Sequence, residues 1–299
     1  MNVNERTREL YKKTSNLIRE ITIRVFPQYV NEKEYKKHTG KSINMKEPHT
    51  YSEKIRYIML HSGQDKLMAL CADKYNVRKY IKRKGLGFLL NTLYGVYENV
   101  DEIDLDALPN QFVLKCVHGS AYNVICKNKS KFDWEKEKKK LREWQKENYG
   151  YKYGELFYCN LRPRIICEKY LEDSNGELLD YKVHCFGGEP RMIQVDFDRY
   201  TGKRHTRNFY SVDWEDIPVS VLYPRNRERK QEKPECLKQM LEYARILARD
   251  FPMVRVDFYY IDKKIIFGEL TFAHGCGVEK IIPPKYDKLW GDWIYLPGR

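Results

Sequence analysis

The chain has 299 residues, of which 42% are hydrophobic and 14% aromatic, enough to bury the core of one large domain or of two to three coupled lobes. This composition excludes a disordered chain. The formal net charge of +13 indicates either a surface charge that only keeps the protein soluble or an anionic partner, such as a nucleotide, an acidic glycan, nucleic acid or a lipid surface. No arginine-rich tail and no basic stripe interleaved with aromatic residues stands out, so nucleic acid is not favoured.

Cysteine usage and the lack of long apolar segments predict a cytoplasmic protein. None of the eight cysteines forms a C-x-x-C pair, and several lie in apolar runs, which is typical of core residues in a reducing compartment. These spacings do not favour a zinc site. No segment has 18 consecutive apolar residues, and residues 1–24 lack the apolar region of a signal peptide.

The N-terminal segment predicts an amphipathic helix over residues 5–25. Its apolar side chains recur at helical spacing, with charged residues between them: Leu10, Leu17, Ile18 and Ile21. Such a stripe most often docks on the body of its own protein, and this is what we expect here. The alternative is a helix that lies on a membrane surface.

The remaining pattern predicts an α+β protein in which antiparallel hairpins alternate with helices. Helices are expected at 52–61 with Ser52 as N-cap, at 65–84 in two pieces ended by Gly85, at 133–149 closed by Gly150, and at 234–249. Strands are expected at 88–97, 112–116, 124–126, 165–171, 181–186, 191–197, 254–260 and 265–271, and a long loop at 198–232. Neither G-x-G-x-x-G after a strand nor G-x-x-x-x-G-K-[ST] is present.

The hairpin formed by the predicted strands 254–260 and 265–271 carries the most informative polar residues. A three-residue loop at 262–264 sets Asp257 opposite Glu269, and Arg255 opposite Thr271, on one face. Two opposed carboxylates repel each other, and a divalent cation is the simplest agent that offsets the repulsion. The alternative is that Arg255 only forms an ion pair with one of the acids on an exposed face.

Two lysines and one loop accompany this hairpin. Lys115 and Lys182 stand in apolar strand-like runs, so each ammonium group must reach a carboxylate, a phosphate or water. The polar loop 118–123 is able to lay backbone N–H groups over phosphates, although an ordinary turn explains it as well. We expect His184 to be a hydrogen-bonded structural histidine, whereas His118 and His274 lie in loops beside the proposed site.

From Tyr51 to Pro297 the order of these features resembles the TupA-like ATP-grasp family, which is associated with teichuronopeptide and other surface-polysaccharide biosynthesis. The resemblance is carried by Thr50–Lys54, Asp73–Arg78, Leu108–Lys115, Pro163–Leu171, Asp180–Lys182, Arg207–Tyr210, Arg255–Asp257 and Phe267–Thr271. It implies an ATP-grasp fold, in which two α+β lobes enclose ATP behind a short helical N-terminal segment. The expected divisions are 1–65 for that segment, 66–165 for the small lobe and 166–299 for the large lobe with the metal-binding hairpin.

The resemblance also implies roles for individual residues. Asp257 and Glu269 are the implied magnesium ligands, and Arg255 and Lys182 the implied catalytic groups. Thr271 is the implied third ligand, at the position where many ATP-grasp ligases have asparagine. The implied ATP contacts are Lys74, Lys115, His118, Gly119, Ser120, Glu168, Lys169, Tyr170, Leu171 and Lys182. In the 118–123 loop, Ala121 stands where a second glycine is expected.

The implied activity is an ATP- and Mg²⁺-dependent carboxylate–amine ligase that forms an amide through an acylphosphate. Its expected substrates are a small-molecule amine and a carboxylate, either an amino acid or a sugar uronic acid that is nucleotide-linked or polymeric. Peripheral contact with membrane-bound polysaccharide machinery is a further expectation, and nucleic acid is not expected. From charge alone, Arg162, Arg199, Lys203 and Arg204 are candidates for attracting an acidic acceptor. The alternatives are a kinase on the same ATP site, a glycosyltransferase using Asp196-Phe197-Asp198, and a non-catalytic glycan-binding protein.

Overall fold

The computed structural model describes residues 3–173, 178–198, 204–229 and 231–296, without the side chains of residues 3–6, 8–10, 12 and 13. The helices are α1 Val3–Val25, α2 Pro27–Thr39, α3 Tyr51–His61, α4 Lys66–Ala72, α5 Val77–Arg83, α6 Trp134–Lys146, α7 Tyr149–Tyr153, α8 Leu237–Ala248 and α9 Lys285–Asp292. The strands are β1 Leu93–Tyr97, β2 Phe112–Cys116, β3 Asn123–Cys126, β4 Ile165–Lys169, β5 Asp180–Phe186, β6 Glu189–Phe197, β7 Thr206–Ser211, β8 Asp216–Ile217, β9 Ser220–Val221, β10 Met253–Ile261, β11 Lys264–Thr271 and β12 Ile281–Ile282. The predicted α+β class is therefore confirmed.

Among the described residues, two antiparallel sheets form the framework. A four-stranded sheet has the order β1-β4-β2-β3, and a six-stranded sheet has the order β11-β10-β5-β6-β7-β8. Each sheet has its own cluster of buried apolar side chains, the smaller one built around Phe112, Leu114 and Leu141 of the four-stranded sheet and α6. These two layers correspond to a small and a large lobe.

The division between the lobes differs from the one drawn on the sequence. Helices α3, α4 and α5 bury their apolar faces in the core of the six-stranded sheet, through residues such as Ile55, Met68 and Ile81. Strand β4 lies wholly in the four-stranded sheet, so a boundary after residue 165 cuts through a strand. The small lobe therefore runs from about β1 to β4, and the helices before it belong with the large lobe.

The apolar stripe of α1 faces away from the protein body, so the expected docking of this stripe is wrong. Leu17, Ile18 and Ile21 are each more than half exposed, and the side chain of Leu10 lies outside the described residues. The opposite face makes the contact instead: Ile23 is buried, and Arg19 donates to the Lys152 carbonyl at 2.8 Å. None of the helices in the described part of the chain has the length and apolar character required to cross a bilayer.

Several element ends also differ from the predictions. Helix α3 is capped by Thr50 and not by Ser52, because the Thr50 hydroxyl accepts from the Glu53 N–H and the Glu53 carboxylate accepts from the Thr50 N–H. Asp133 caps helix α6, which ends at Lys146 and not at the predicted residue 149, and Gly154, with φ +77°, closes the separate helix α7.

The segment 198–232 is not one long loop, because it contains β7, β8 and β9. In β7 the side chains of Arg207 and Asn208 are buried as deeply as those of Phe209 and Tyr210. The strand therefore shows no alternation of apolar and polar residues, and this is why the pattern failed to predict it.

Candidate functional site

The β10–β11 hairpin sets the four polar residues of the site in register. Its turn has two residues, Asp262 and Lys263, both with positive φ, and not the three predicted. A β-bulge at Gly268 restores the register by adding one residue to β11, so that Asp257 still pairs with Glu269, and Arg255 with Thr271. A Cβ atom at Gly268 would lie 3.0 Å from the Asp257 carbonyl oxygen, which explains why glycine occupies the bulge.

Strand β5 extends this pairing into two rows that cross three strands. Lys182 pairs with Asp257, which pairs with Glu269; in the next row His184 pairs with Arg255, which pairs with Thr271. Because backbone pairing fixes these positions, the charged side chains meet without help from a loop. We call the first row, Lys182–Asp257–Glu269, the charged row.

Arg255 binds both carboxylates of the hairpin. Its Nε donates to Asp257 Oδ1, and its Nη2 to Oδ2, each at 2.7 Å, while Nη2 also lies 3.3 Å from Glu269 Oε1. Burial raises the pKa of Asp257, although Arg255 and Lys182 oppose that rise. Burial also acts to raise the pKa of Glu269, but Lys74, Arg255 and Lys182 outweigh it and lower the net pKa.

Lys182 lies among three carboxylates. Its Nζ is 2.6 Å from Asp180 Oδ2, 3.7 Å from Asp196 Oδ2 and 3.8 Å from Asp257 Oδ2, and the side chain is buried. The ammonium group therefore balances negative charge on three neighbouring strands. Of the partners expected for this lysine, which were a carboxylate, a phosphate or water, the structure shows carboxylates.

A cavity of about 490 Å³, which we call the lysine cavity, lies between the two lobes. Lys74, Lys115 and Lys182 line it, together with Asp257 and Glu269. Lys115 reaches Glu168 Oε2 at 2.7 Å, and Lys74 donates to the Gly119 carbonyl. The strand end 169–171 also lines this cavity, and Asn91 donates to the Lys169 carbonyl at 2.8 Å.

The loop 118–123 enters the lysine cavity through Ser120, Ala121 and Asn123. Ala121 has φ +61°, the left-handed conformation that glycine adopts most easily, at the position where a second glycine was expected. His118 is buried on the other side of the loop, with Nε2 2.9 Å from the Trp144 carbonyl. Neither His118 nor Gly119 lines the cavity, so their roles as nucleotide contacts stay predictions.

A second cavity of about 520 Å³ lies on the other side of the hairpin residues, and we call it the glutamate cavity. Ser120, Lys182, Arg255 and Glu269 line both cavities. Thr271 lines the glutamate cavity only, and its hydroxyl lies 3.1 Å from Arg255 Nη2 and 3.2 Å from Glu269 Oε1. The two cavities therefore meet at the charged row.

Sequence reasoning missed four further titratable residues of the glutamate cavity, which come from three separate segments. They are Glu155, His205, Arg207 and Glu279. Arg207 donates from Nε to Asp196 Oδ1 at 2.6 Å. The only sequence signal was Arg207 within an apolar and aromatic run; nothing marked Glu155 or Glu279.

Other predicted residues lie elsewhere in the molecule. Arg162 is 2.8 Å from Glu98 and lines neither cavity, whereas Arg199 and Lys203 lie outside the described residues. His184 is fully buried with Nε2 3.1 Å from Gln194 Oε1, so the prediction of a structural histidine is confirmed.

The donor set at the hairpin fits magnesium bound together with phosphate. The described residues contain no group of three or more His, Cys, Asp or Glu side chains that could hold a metal ion by themselves. Asp257 and Glu269 supply two carboxylates in register, and magnesium is commonly held by one or two carboxylates plus phosphate oxygens and water.

Comparison with protein families and solved structures adds an independent finding. Residues 53–295 match the family model described as TupA-like ATPgrasp. No curated protein matches the sequence. Among solved structures, D-alanine–D-alanine ligase from Bacillus anthracis complexed with ATP is similar at 14% identity and a TM-score of 0.41, covering 68% of this chain and 54% of that one.

Two further structures are similar to a comparable degree. Phosphoribosylamine–glycine ligase from Thermotoga maritima matches at 12% identity and a TM-score of 0.44, over 74% of this chain and 52% of that one. The biotin carboxylase domain of Hydrogenobacter thermophilus 2-oxoglutarate carboxylase matches at 17% identity and a TM-score of 0.38, over 69% of this chain and 41% of that one. The chain thus spans about half the length of these structures.

Proposed function

The chain belongs to the TupA-like ATP-grasp family and has an ATP-grasp fold, as its sequence motifs predicted, and from this premise we propose that it is an ATP- and magnesium-dependent carboxylate–amine ligase. The observation that carries the proposal is the meeting of two cavities at the charged row, with Arg255 lining both. A ligase must hold the ATP phosphates beside the carboxylate that they activate. Side chains that line both cavities are able to contact both the ATP phosphates and the substrate carboxylate.

In this proposal ATP occupies the lysine cavity. Lys74, Lys115 and Lys182 contact its phosphates, and Glu168 contacts the ribose. The strand end Lys169–Leu171 lines the adenine pocket. We assign the contact of the 118–123 loop to Ser120 rather than His118, because the His118 ring is directed at the Trp144 carbonyl.

Asp257 and Glu269 would hold magnesium with the phosphates, and the ion would neutralise charge on the phosphoryl group that is transferred. Arg255 donates from Nε and Nη2 to the two Asp257 oxygens, so in this proposal the phosphates compete with Asp257 for the guanidinium group. Thr271 positions Glu269 and Arg255 through its hydroxyl; a role as a third ligand remains a prediction.

The proposed reaction has two steps. A substrate carboxylate oxygen attacks the γ-phosphorus of ATP, and the bond to the β-phosphate oxygen breaks to give an acylphosphate and ADP. An amine nitrogen then attacks the acyl carbon, and phosphate leaves with the electron pair of the C–O bond, so that an amide forms. Lys182 and Arg255 stabilise the charge that develops on the transferred group.

The proposed substrate class follows from the family and from charge. The carboxylate is a uronic acid, nucleotide-linked or polymeric, or an amino acid, in cell-surface polysaccharide biosynthesis. The net charge of +13 supports an acidic acceptor. We keep the cytoplasm as the proposed location and peripheral contact with membrane-bound polysaccharide machinery as a proposal.

Geometry argues against the glycosyltransferase alternative. Asp196 of the Asp-Phe-Asp tripeptide accepts hydrogen bonds from Arg207 and from Gln194 at 2.6 and 2.9 Å, and His205 Nε2 lies 3.1 Å away. Burial acts to raise the pKa of Asp196, but Arg207 and Lys182 outweigh it and hold the pKa well below its usual range. A carboxylate with these partners is a structural counter-ion and does not resemble a free metal ligand.

The deciding experiment incubates the protein with ATP and magnesium against a matrix of uronic acids and amines, and identifies products by mass spectrometry. The ligase predicts ADP, free phosphate and a new amide. A stable phosphate ester would show a kinase instead. Asp257→Asn serves as the inactive control. If the wild-type protein forms no ADP with any pair of substrates, that result would count against ATP turnover by this chain.

A further inference from the structure

The glutamate cavity contains a carboxyl group that none of the steps above uses. Glu155 follows α7 and is only 7% exposed, yet its side chain lines the cavity. Its one described side-chain hydrogen bond comes from the Cys276 thiol, with Sγ 3.7 Å from Oε1. A thiol is a weak donor, so this bond compensates little of the cost of burying a carboxyl group.

Aromatic residues surround this carboxyl group. Tyr149 and Tyr158 are neighbours in the cavity wall, with ring centroids 5.1 Å apart. Charged groups act on Glu155 from several elements: Lys74 and Arg56 favour its ionised form, and Glu269 disfavours it. Burial is the largest influence and raises the pKa of Glu155 to about 7.

The basic residues of the same cavity already have partners. Arg207 donates from Nε to Asp196 and from Nη1 to the Val221 carbonyl, and Arg255 binds Asp257 with Nε and Nη2. His274 lies 3.7 Å from Glu279 and 3.4 Å from the Tyr51 hydroxyl. Among the acidic side chains that line this cavity in the described part of the chain, Glu155 alone has no basic group within ion-pair distance, whereas Glu279 lies 3.7 Å from Arg207 Nη1 and from His274 Nε2. Glu155 therefore fits a cationic ligand better than an anionic one.

We propose that the glutamate cavity binds the amine substrate, with Glu155 receiving its ammonium group. This inference rests on the proposed ligase and names the class of its second substrate: a primary amine that enters as an ammonium ion. The amine then lies on the far side of the charged row from ATP, and Glu269 and Arg255 separate the two.

Glu155 also supplies the proton acceptor that the second step needs. The ammonium group transfers one proton to the Glu155 carboxylate, which leaves a lone pair on nitrogen. That pair forms the C–N bond to the acyl carbon while the C–O bond to phosphate breaks. The nitrogen then releases its second proton to the departing phosphate, so charge and atoms balance. A carboxyl pKa near 7 suits an acceptor that works near neutral pH.

Cys276 permits a test that does not need the true substrate or ATP turnover. Its thiol is adjacent to Glu155, and labelling with methanethiosulfonates that carry either an ammonium or a sulfonate group reports the charge preference of the cavity. The background is Cys159→Ser, since Cys159 and Cys276 are the cysteines that are not fully buried. Labelling is followed at pH 8 by intact mass, and Cys276 is verified by peptide mapping.

A thiolate is itself anionic and favours the ammonium reagent, so the ratio of the ammonium rate to the sulfonate rate is divided by the same ratio for free N-acetylcysteine amide. We expect this normalised ratio to be at least about ten, because the Glu155 carboxylate a few ångströms away favours the approach of the ammonium reagent. The ratio of the two rates cancels changes in thiol reactivity that affect both reagents equally. Glu155→Gln should reduce the ratio to near one, Glu155→Asp should keep most of it, and the exposed-site control Glu98→Gln should leave it unchanged. Circular dichroism verifies that each variant is folded.

Three results would overturn the proposal: a wild-type ratio near one, a faster reaction with the sulfonate reagent, or a ratio that Glu155→Gln leaves unchanged. Failure of both reagents to label Cys276 would also overturn it, because the cavity would then be closed to small amines. ADP formation is measured separately, so a cavity that selects cations in a protein without ligase activity would refute the ligase and leave the amine-binding site standing.

Discussion

Arg255 and Asp257, two residues apart on strand β10, form a two-pronged ion pair in which Nε and Nη2 each lie 2.7 Å from a carboxylate oxygen. Such a fork is the strongest geometry for an arginine–carboxylate pair. Both oxygens of Asp257, the carboxylate proposed to bind magnesium, therefore already accept hydrogen bonds from Arg255 of the same strand.

The ion pair predicts that magnesium binds together with nucleotide and poorly by itself. Phosphate oxygens are able to replace Asp257 as partners of Arg255, which frees the carboxylate for the metal. In thermal unfolding, we expect MgADP to raise the Tm more than magnesium and ADP do in separate samples, and EDTA to remove the extra rise. If magnesium alone raised the Tm as much as MgADP does, that result would contradict the prediction that magnesium needs the nucleotide to bind.

Asp257→Asn and Glu269→Gln should both reduce ATP turnover by on the order of a hundredfold or more, because each removes a carboxylate proposed to hold the magnesium ion that neutralises charge during phosphoryl transfer. Their effects on stability should differ. Asp257→Asn leaves the buried Arg255 without its main counter-ion, which costs about 3–5 kcal/mol for a buried pair.

Glu269 is 41% exposed and only 3.3 Å from Arg255 Nη2, so Glu269→Gln should change the free energy of unfolding much less. Urea unfolding followed by fluorescence measures both variants. Equal destabilisation by the two substitutions would show that Arg255 does not depend mainly on Asp257.

Gly268→Ala tests the bulge that sets the register. The added Cβ would lie 3.0 Å from the Asp257 carbonyl oxygen and 3.3 Å from the Tyr259 ring, so the strand must shift beside the charged row. We expect a destabilisation of about 1–3 kcal/mol with a loss of ADP formation. The matched control is Gly63→Ala, whose Cβ would meet only the Leu156 side chain at 3.4 Å, and which should retain activity.

His184 predicts a loss of stability in mild acid. Burial lowers its pKa to about 3, with Arg255 adding to the effect, whereas the unfolded chain takes up the proton near pH 6.5. Because the folded pKa is depressed, the unfolded state binds more protons below pH 6.5, and stability falls as pH decreases through that value.

Between pH 6.5 and 5, His184 should contribute a loss of about 2 kcal/mol in the free energy of unfolding. His184→Gln keeps a polar side chain beside Gln194 and removes the titration, so its stability should fall less over the same interval. Urea unfolding at both pH values measures the difference. Parallel losses in wild type and variant would show that other groups cause the acid sensitivity.

The sequence was sufficient to predict the hairpin, the pairing of Asp257 with Glu269 and the family, because alternation and motif order are local properties of the chain. It predicted the register for a partly wrong reason: the turn is one residue shorter than expected, and the bulge at Gly268 compensates. A bulge leaves no distinctive pattern in the sequence beyond one glycine, so its position could be read only from the pairing of the two strands in the structure.

Glu155 and the glutamate cavity were beyond prediction from the sequence. Their neighbours Arg207, Cys276 and Glu279 are distant along the chain and meet only when the two lobes and the C-terminal segment pack. The apolar stripe of α1 was misjudged for a related reason. Amphipathic spacing shows that a helix has an apolar face but not which face docks, and here the face with Arg19 and the buried Ile23 makes the contact.

The charged row has a consequence for heat inactivation. Lys182, Asp257 and Glu269 hold their spacing through the backbone hydrogen bonds of β5, β10 and β11, which lie side by side at one end of the six-stranded sheet. A site carried by loops often softens well below the melting temperature, whereas this one shares the cooperativity of the sheet. Activity and folded structure should therefore disappear along a single thermal transition.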